Sequence, residues 1–188
     1  MNDNSEARLF IAINFDEPTK DAIYKAMERL KPYTLQASYT HKENLHLTLV
    51  FIGEVPISKI ESITVCMDRV KSKPFTIRIG GIGRFKRRGG DIYWIGVEKN
   101  PSLLSIHSQL YTHLISSGFA IEAREYKPHL TIARRVIARD DFNEAQFSTS
   151  VPNMDVLVQD IYLMKSERIR GKLTYTPIYR KNLKNEHL

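Results

Sequence analysis

A chain of 188 residues, 42% hydrophobic and 26% charged, has the balance of an ordinary globular domain and is long enough to bury a core without staples. A single cysteine excludes a disulfide framework and a cysteine metal cluster; the short apolar runs and the polar start MNDNSEAR exclude a membrane span and a signal-peptide core, so a cytoplasmic address is the default expectation. Lysine plus arginine number 28 against 21 for aspartate plus glutamate, and the net charge of +7 favours an anionic partner, nucleic acid first.

Along the chain, strand and helix patterns alternate. Residues 9–15 (LFIAINF) predict a strand. Residues 18–30 predict a helix, opened by Pro18, with Ile23, Met27 and Leu30 at helical spacing. Residues 45–52 (LHLTLVFI) predict a strand closed by Gly53. Residues 58–70 predict a helix with Ser58 as its cap, Glu61 three residues on, and Ile60, Ile63, Met67 and Val70 as its apolar face. Residues 75–83 and 91–97 predict two strands joined by the basic loop 84–90. Residues 103–117 predict a helix stopped by Gly118. A strand follows at 129–133, then a weaker helix at 140–147, and strands at 155–165 and 175–180.

The chain also repeats itself. His46-Leu47-Thr48-Leu49 returns as His129-Leu130-Thr131-Ile132, at an offset of 83. The same offset carries Pro18 onto Pro101, Ile23 onto Ile106, and the strand from Leu9 onto the strand from Ile92. Each half then reads strand, Pro-started helix, His-x-Thr strand, helix. The expected fold is α+β: one bilobal, pseudo-two-fold domain over residues 1–188, with two antiparallel sheets facing a central cleft and helices outside.

With 6 histidines and 11 threonines, composition alone gives about 0.35 His-x-Thr occurrences, and about 0.03 once the middle residue must be one of the 16 leucines. Two are present, both in strands. Alternation on a strand puts His46, Thr48 and Val50 on one face and Leu47, Leu49 and Phe51 on the other, and sets His129 and Thr131 opposite Leu130 and Ile132. Leucine faces the core, while imidazole and hydroxyl face the cleft. Imidazole titrates near neutrality, so of two facing one cleft one takes a proton from a nucleophile and the other gives one to a leaving oxygen. Threonine hydroxyls donate to phosphate oxygens where charge builds. This suits phosphodiester cleavage and needs no cofactor and no metal. The six histidines (His41, His46, His107, His113, His129, His187) form no HExxH motif, and His107 and His113, six apart on one helix, share no tight ligand face.

These residues resemble the two-histidine phosphoesterase superfamily, whose signature is two His-x-Thr/Ser motifs in apolar surroundings, and within it the RNA 2′,3′-cyclic phosphodiesterase (2′-5′ RNA ligase-like) family. The resemblance rests on RLFIAINFD, HLTLVFIGEV, IYWIGV and KPHLTIAR, and carries little beyond about Asp140. It implies hydrolysis of RNA 2′,3′-cyclic phosphate ends to 2′-phosphates, with reverse 2′-5′ ligation as a further capacity. His46 takes the place of the general acid for the 3′ oxygen, and His129 of the residue that activates water. Thr48, Thr131 and Arg134 take the place of phosphate ligands. Sequence symmetry does not say which imidazole is protonated, and ligation reverses the roles.

Arg134 follows His129 by five residues, which strict alternation puts on the wrong face; it reaches the cleft only if the strand ends or bulges near Ala133. Phe51, its counterpart, either stacks on a terminal base or packs in the core beside Leu47 and Leu49. The loop carrying Arg84, Phe85, Lys86, Arg87 and Arg88 either tracks an RNA backbone or is a solvated hairpin tip. Arg135 and Arg139 are weaker candidates of the same kind. Tyr126 borders the cleft with no direction fixed, and Trp94 reads as core. The expected partner is RNA ending in a cyclic phosphate, or a cyclic nucleotide; no membrane is expected, and a monomer is the default. Two other readings keep the fold: a binding module for RNA or nucleotides without catalysis, and a phosphodiesterase for a small cyclic nucleotide phosphate.

Overall fold

The computed structural model describes residues 5–184; His187 and the first four residues of the polar start lie outside it. In chain order the elements are β1 (Glu6–Asn14), α1 (Glu17–Leu30), β2 (Thr34–Tyr39), β3 (His46–Pro56), α2 (Ile60–Asp68), β4 (Phe75–Phe85), β5 (Asp91–Val97), α3 (Pro101–Ser116), β6 (His129–Ala138), α4 (Glu144–Ser150), β7 (Met154–Val158), β8 (Asp160–Ile169) and β9 (Lys172–Asn182). They form two antiparallel sheets, one of four strands in the order β3-β1-β8-β9 and one of five in the order β2-β6-β5-β4-β7. The α+β fold with two sheets is as expected, and β3 and β6, the motif strands, lie in different sheets.

Local chemistry sets the element ends. Asp16 accepts the Thr19 N–H at 2.9 Å to start α1, and Asn100 accepts the Leu103 N–H at 3.0 Å to start α3; both helices carry proline in the first turn. Their apolar stripes, Ile23, Ala26, Met27 and Leu30 on α1 and Leu103, Ile106, Leu110 and Leu114 on α3, are buried. Leu9, Ile11, Ile13, Leu47, Tyr93, Ile95, Leu130 and Ile132 bury the strand faces that join the same core.

Several expectations are corrected. Ser58 caps nothing: it sits in a 3₁₀ turn (Ile57–Lys59), and α2 starts after it without a side-chain cap. The helix expected at 140–147 begins at Glu144, because the Asn143 side chain accepts the Gln146 N–H. The strand expected at 155–165 is two strands, β7 and β8, which break at Gln159 and enter different sheets. The edge strand β2 carries no alternation the sequence reading caught. Sequence halves and sheets do not coincide either. β2 and β4, from the first half, join the second motif's sheet; β8 and β9, from the C-terminal part, complete the first motif's sheet.

The repeat of the first strand is also shifted by one. Asn14 pairs with His46 and Gly96 with His129, so β1 maps onto β5 at 82 rather than 83. In that register Ile11 matches Tyr93 and Ile13 matches Ile95, all four buried. A slip of one would have put each core residue on the cleft face.

Candidate active site

Each motif strand carries a bulge at the same place. In β3, Thr48 pairs with Ala12 and Val50 with Ile11, leaving Leu49 extra. In β6, Thr131 pairs with Trp94 and Ala133 with Tyr93, leaving Ile132 extra. The bulge reverses the facing of the residues just beyond it. Val50 and Ala133 turn into the core, and Phe51 and Arg134 turn out. Phe51 is 44% exposed, so it is not a core residue, and Val50 does not share the His46 face. The break in alternation that Arg134 required is present.

The two imidazoles are held alike. Nδ1 of His46 lies 2.7 Å from the Asn44 carbonyl, and Nδ1 of His129 lies 2.6 Å from the Lys127 carbonyl. A carbonyl only accepts, so Nδ1 carries the hydrogen in both rings and Nε2 is the nitrogen left for chemistry. Nε2 of His46 meets the Thr48 hydroxyl at 2.9 Å. An aromatic ring meets each imidazole edge-on: Tyr175 for His46 (5.2 Å, 87°) and Phe85 for His129 (4.9 Å, 89°). Phe10 lies 4.8 Å from His46, and Trp94 lies 6.3 Å from His129.

Burial is the main force that pushes both imidazoles below the usual histidine range. The Arg134 charge adds to it at both rings, that of His129 adds to it at His46, and that of Arg124 at His129; the carbonyl partners oppose the shift. Two histidines and Arg134 therefore act on one another electrostatically, although they come from strands of separate sheets.

A cavity of about 570 Å³ runs beside the motif strands. Thr48, Phe51, His129, Thr131 and Arg134 line it, together with Phe85 and Arg87 from the β4–β5 hairpin. His46 does not line it directly and reaches it through Thr48. A second cavity of about 390 Å³, between the end of β1 and the start of β8, contains neither histidine.

The basic hairpin divides. Arg84 is engaged in ion pairs with Asp91 (3.0 Å) and Glu144 (2.9 Å) and does not line the cavity. Arg87 faces the cavity, its backbone N–H fixed by Asp91 at 3.0 Å, while Lys86 and Arg88 are exposed and outside the lining. Arg135, at φ 53°, donates to the Ser38 hydroxyl, and Arg139 pairs with Asp141. Trp94 is not a core residue; it lies on the cleft side, over Gly83, where a Cβ would meet the indole at 2.3 Å. His107 stacks on Tyr126 at 4.1 Å, and His113 faces the Cys66 carbonyl. Among the described residues, no group of three or more His, Cys, Asp or Glu is arranged to hold a metal.

The sequence reading does not point to Tyr175 and Phe10 around His46 or, Tyr126 apart, to the 120–127 segment that walls the cavity. One signal was available: the offset of 83 carries Asn44 onto Lys127, the two carbonyls that hold the imidazoles. No pattern pointed to Tyr175.

Comparison with known proteins gives the family and the fold. The family model described as the 2′-5′ RNA ligase superfamily matches residues 19–170. A Thermotoga maritima protein named RNA 2′,3′-cyclic phosphodiesterase is 33% identical over 178 residues, covering 92% of this chain and 91% of its own. A Methanothermobacter thermautotrophicus protein of the same name is 31% identical, covering 91% of this chain and 96% of its own. The crystal structure of E. coli LigT complexed with 3′-AMP superposes with a TM-score of 0.80 at 25% identity, over 96% of this chain and 100% of that one. With two half-buried His-x-Thr motifs beside a cleft, and relatives of this extent, the chain belongs to the 2′-5′ RNA ligase superfamily of two-histidine phosphoesterases.

Proposed function

We propose that the protein hydrolyses RNA 2′,3′-cyclic phosphate ends to 2′-phosphates, with His46 and His129 as general acid and base and without a metal. The observation that carries the reading is the paired holding of the imidazoles. Each is fixed through Nδ1 to the carbonyl two residues before it, with a motif threonine beside it. The names of the relatives support the substrate class.

In the forward reaction, neutral His129 takes a proton from water through Nε2 as the water oxygen adds to phosphorus. The bond from phosphorus to the 3′ oxygen breaks, and protonated His46 gives its Nε2 proton to that oxygen. The product is a 2′-phosphate with a free 3′-hydroxyl, and proton exchange with solvent resets the pair. Thr48, Thr131 and Arg134 stabilise the charge that builds on the non-bridging oxygens. Arg87 and Phe51 border the same cavity and are positioned to meet the nucleotide. With the 5′-hydroxyl of a second RNA in place of water, His129 takes its proton as the 5′ oxygen adds to phosphorus, the bond to the 3′ oxygen breaks, and His46 protonates that oxygen, so the same pair would form a 2′-5′ phosphodiester.

The test is incubation of a nucleoside 2′,3′-cyclic phosphate, and of a short RNA ending in one, with excess EDTA. Wild type should form the 2′-phosphate, and His46→Ala and His129→Ala should each lose about 10²–10⁴-fold in rate. Activity lost in EDTA and restored by a divalent ion would overturn the metal-free mechanism. Turnover of the nucleotide alone would favour the small-substrate reading, and binding without turnover would favour a binding module.

A further inference from the structure

No strand ladder joins β3 to β6, because they belong to different sheets. One side-chain hydroxyl crosses to the other sheet, and a second extends the β2–β6 pairing just where the chain leaves β2 for β3. Tyr126, three residues before His129, donates its hydroxyl to the Thr48 carbonyl at 3.0 Å. Thr40, six residues before His46, donates its hydroxyl to the Thr131 carbonyl at 3.0 Å, and its N–H to the Ile132 carbonyl at 2.9 Å. The segment leading into each motif therefore holds the threonine of the other motif.

We propose that Tyr126 and Thr40 are positioning residues, a reciprocal pair of clasps that sets the spacing of the two half-sites. Both clasped threonines stand next to a bulge, Leu49 in one strand and Ile132 in the other, where the ladder is interrupted. The Tyr126 ring lies flat on His107, 4.1 Å away at 4°, so α3 fixes where the hydroxyl points. Burial raises the phenol's pKa and keeps it a donor. Thr48 in turn touches Nε2 of His46 at 2.9 Å, so a shift of its backbone reaches the imidazole directly. Displacement at phosphorus needs the attacking and leaving oxygens on opposite sides, and an error of about 1 Å in such an arrangement costs on the order of 100-fold in rate.

This inference rests on the acid–base reading of the pair. Its test uses Tyr126→Phe and Thr40→Val, which remove only the clasping hydroxyls, the double variant, and Thr40→Ser, which restores one. Each single loss should lower kcat about 10- to 100-fold with KM within about twofold. Thr40→Ser should recover most of the rate. The double variant should lose less than the product of the single losses, since both clasps hold one separation. Imidazole titrations of His46 and His129, followed by NMR, should move in both single variants. Unchanged kcat in folded Tyr126→Phe and Thr40→Val overturns the proposal. So does a smaller active fraction with titrations and pH profile unmoved. If wild type fails to turn over any cyclic phosphate, the proposed function fails, and the imidazole titrations still decide the clasps.

Discussion

With Nδ1–H given to a carbonyl, each histidine has only Nε2 for proton transfer, and its environment sets when that nitrogen is charged. Burial and the Arg134 charge favour the neutral ring in both, so the protein binds protons at this pair less readily than free imidazole does at about pH 6.5. Because kcat/KM reports the free enzyme, both limbs of its bell should be displaced downward and its optimum should fall on the acid side of 6.5. A bound phosphate anion favours imidazolium, so the optimum of kcat should be more alkaline than that of kcat/KM. Arg134→Gln removes one depressing charge and should move the kcat/KM optimum upward. An optimum above pH 7 that ignores this substitution would contradict the electrostatic account. At this scale the sequence was most legible in its repeated motifs, because two copies of His-x-Thr on strands constrain each other. Tyr175 and Phe10 were illegible for the opposite reason: they reach His46 through sheet pairing that no local pattern records.

Alternation is a rule about regular strands, and both motif strands break it just after the motif threonine. Before the bulge, alternation puts Thr48 and Thr131 beside their histidines; after it, the same rule misplaces Val50 and Phe51. The sequence reading anticipated a break at Ala133 because Arg134 had to face the cleft, but lacked a charged residue at Phe51 to force the same inference there. The neighbouring strands add a second device. The indole of Trp94 on β5 covers Gly83 on β4, between Phe85 (5.4 Å) and His129 (6.3 Å). A methyl at position 83 would meet the ring at 2.3 Å, and backbone φ gives no relief because the conflict is steric. Gly83→Ala should therefore displace the indole, cost about 1–3 kcal/mol of stability, and lower kcat more than it raises KM. Thermal melts and a kcat against KM comparison check this. A variant with unchanged stability and unchanged kcat would show that the indole moves freely.

At the scale of the whole molecule, the chain builds each sheet from both of its halves. β8 lies against β1, and β9 closes the first motif's sheet at the far edge from β3. The repeat was legible from the sequence, but this exchange was not, because the residues after Asp140 carry no copy of it. One side chain ties the two edges. Asn44, the buried polar residue of the core at 5% exposure, donates from Nδ2 to the Leu173 carbonyl at 2.8 Å and accepts the Tyr175 N–H at 3.1 Å. Its own carbonyl holds Nδ1 of His46, and the strand it captures brings Tyr175 against that ring. Curling of the sheet and seating of the imidazole thus depend on one amide. Asn44→Ala leaves the Leu173 carbonyl and the Tyr175 N–H, both in part-buried bonds, without their partner, at a cost of about 1–3 kcal/mol, which for a chain of this size lowers Tm by roughly 2–12 °C. It also frees β9 to move from His46, so water reaches the ring and its pKa rises toward the ordinary value. Asn44→Asp keeps the acceptor for Tyr175 but loses the donor for Leu173, and should not regain wild-type stability. Melting curves with His46 titration by NMR test both effects together. A destabilised Asn44→Ala whose His46 titrates as in wild type would separate sheet closure from the site, and an unchanged Tm would show that the edges are held by other contacts.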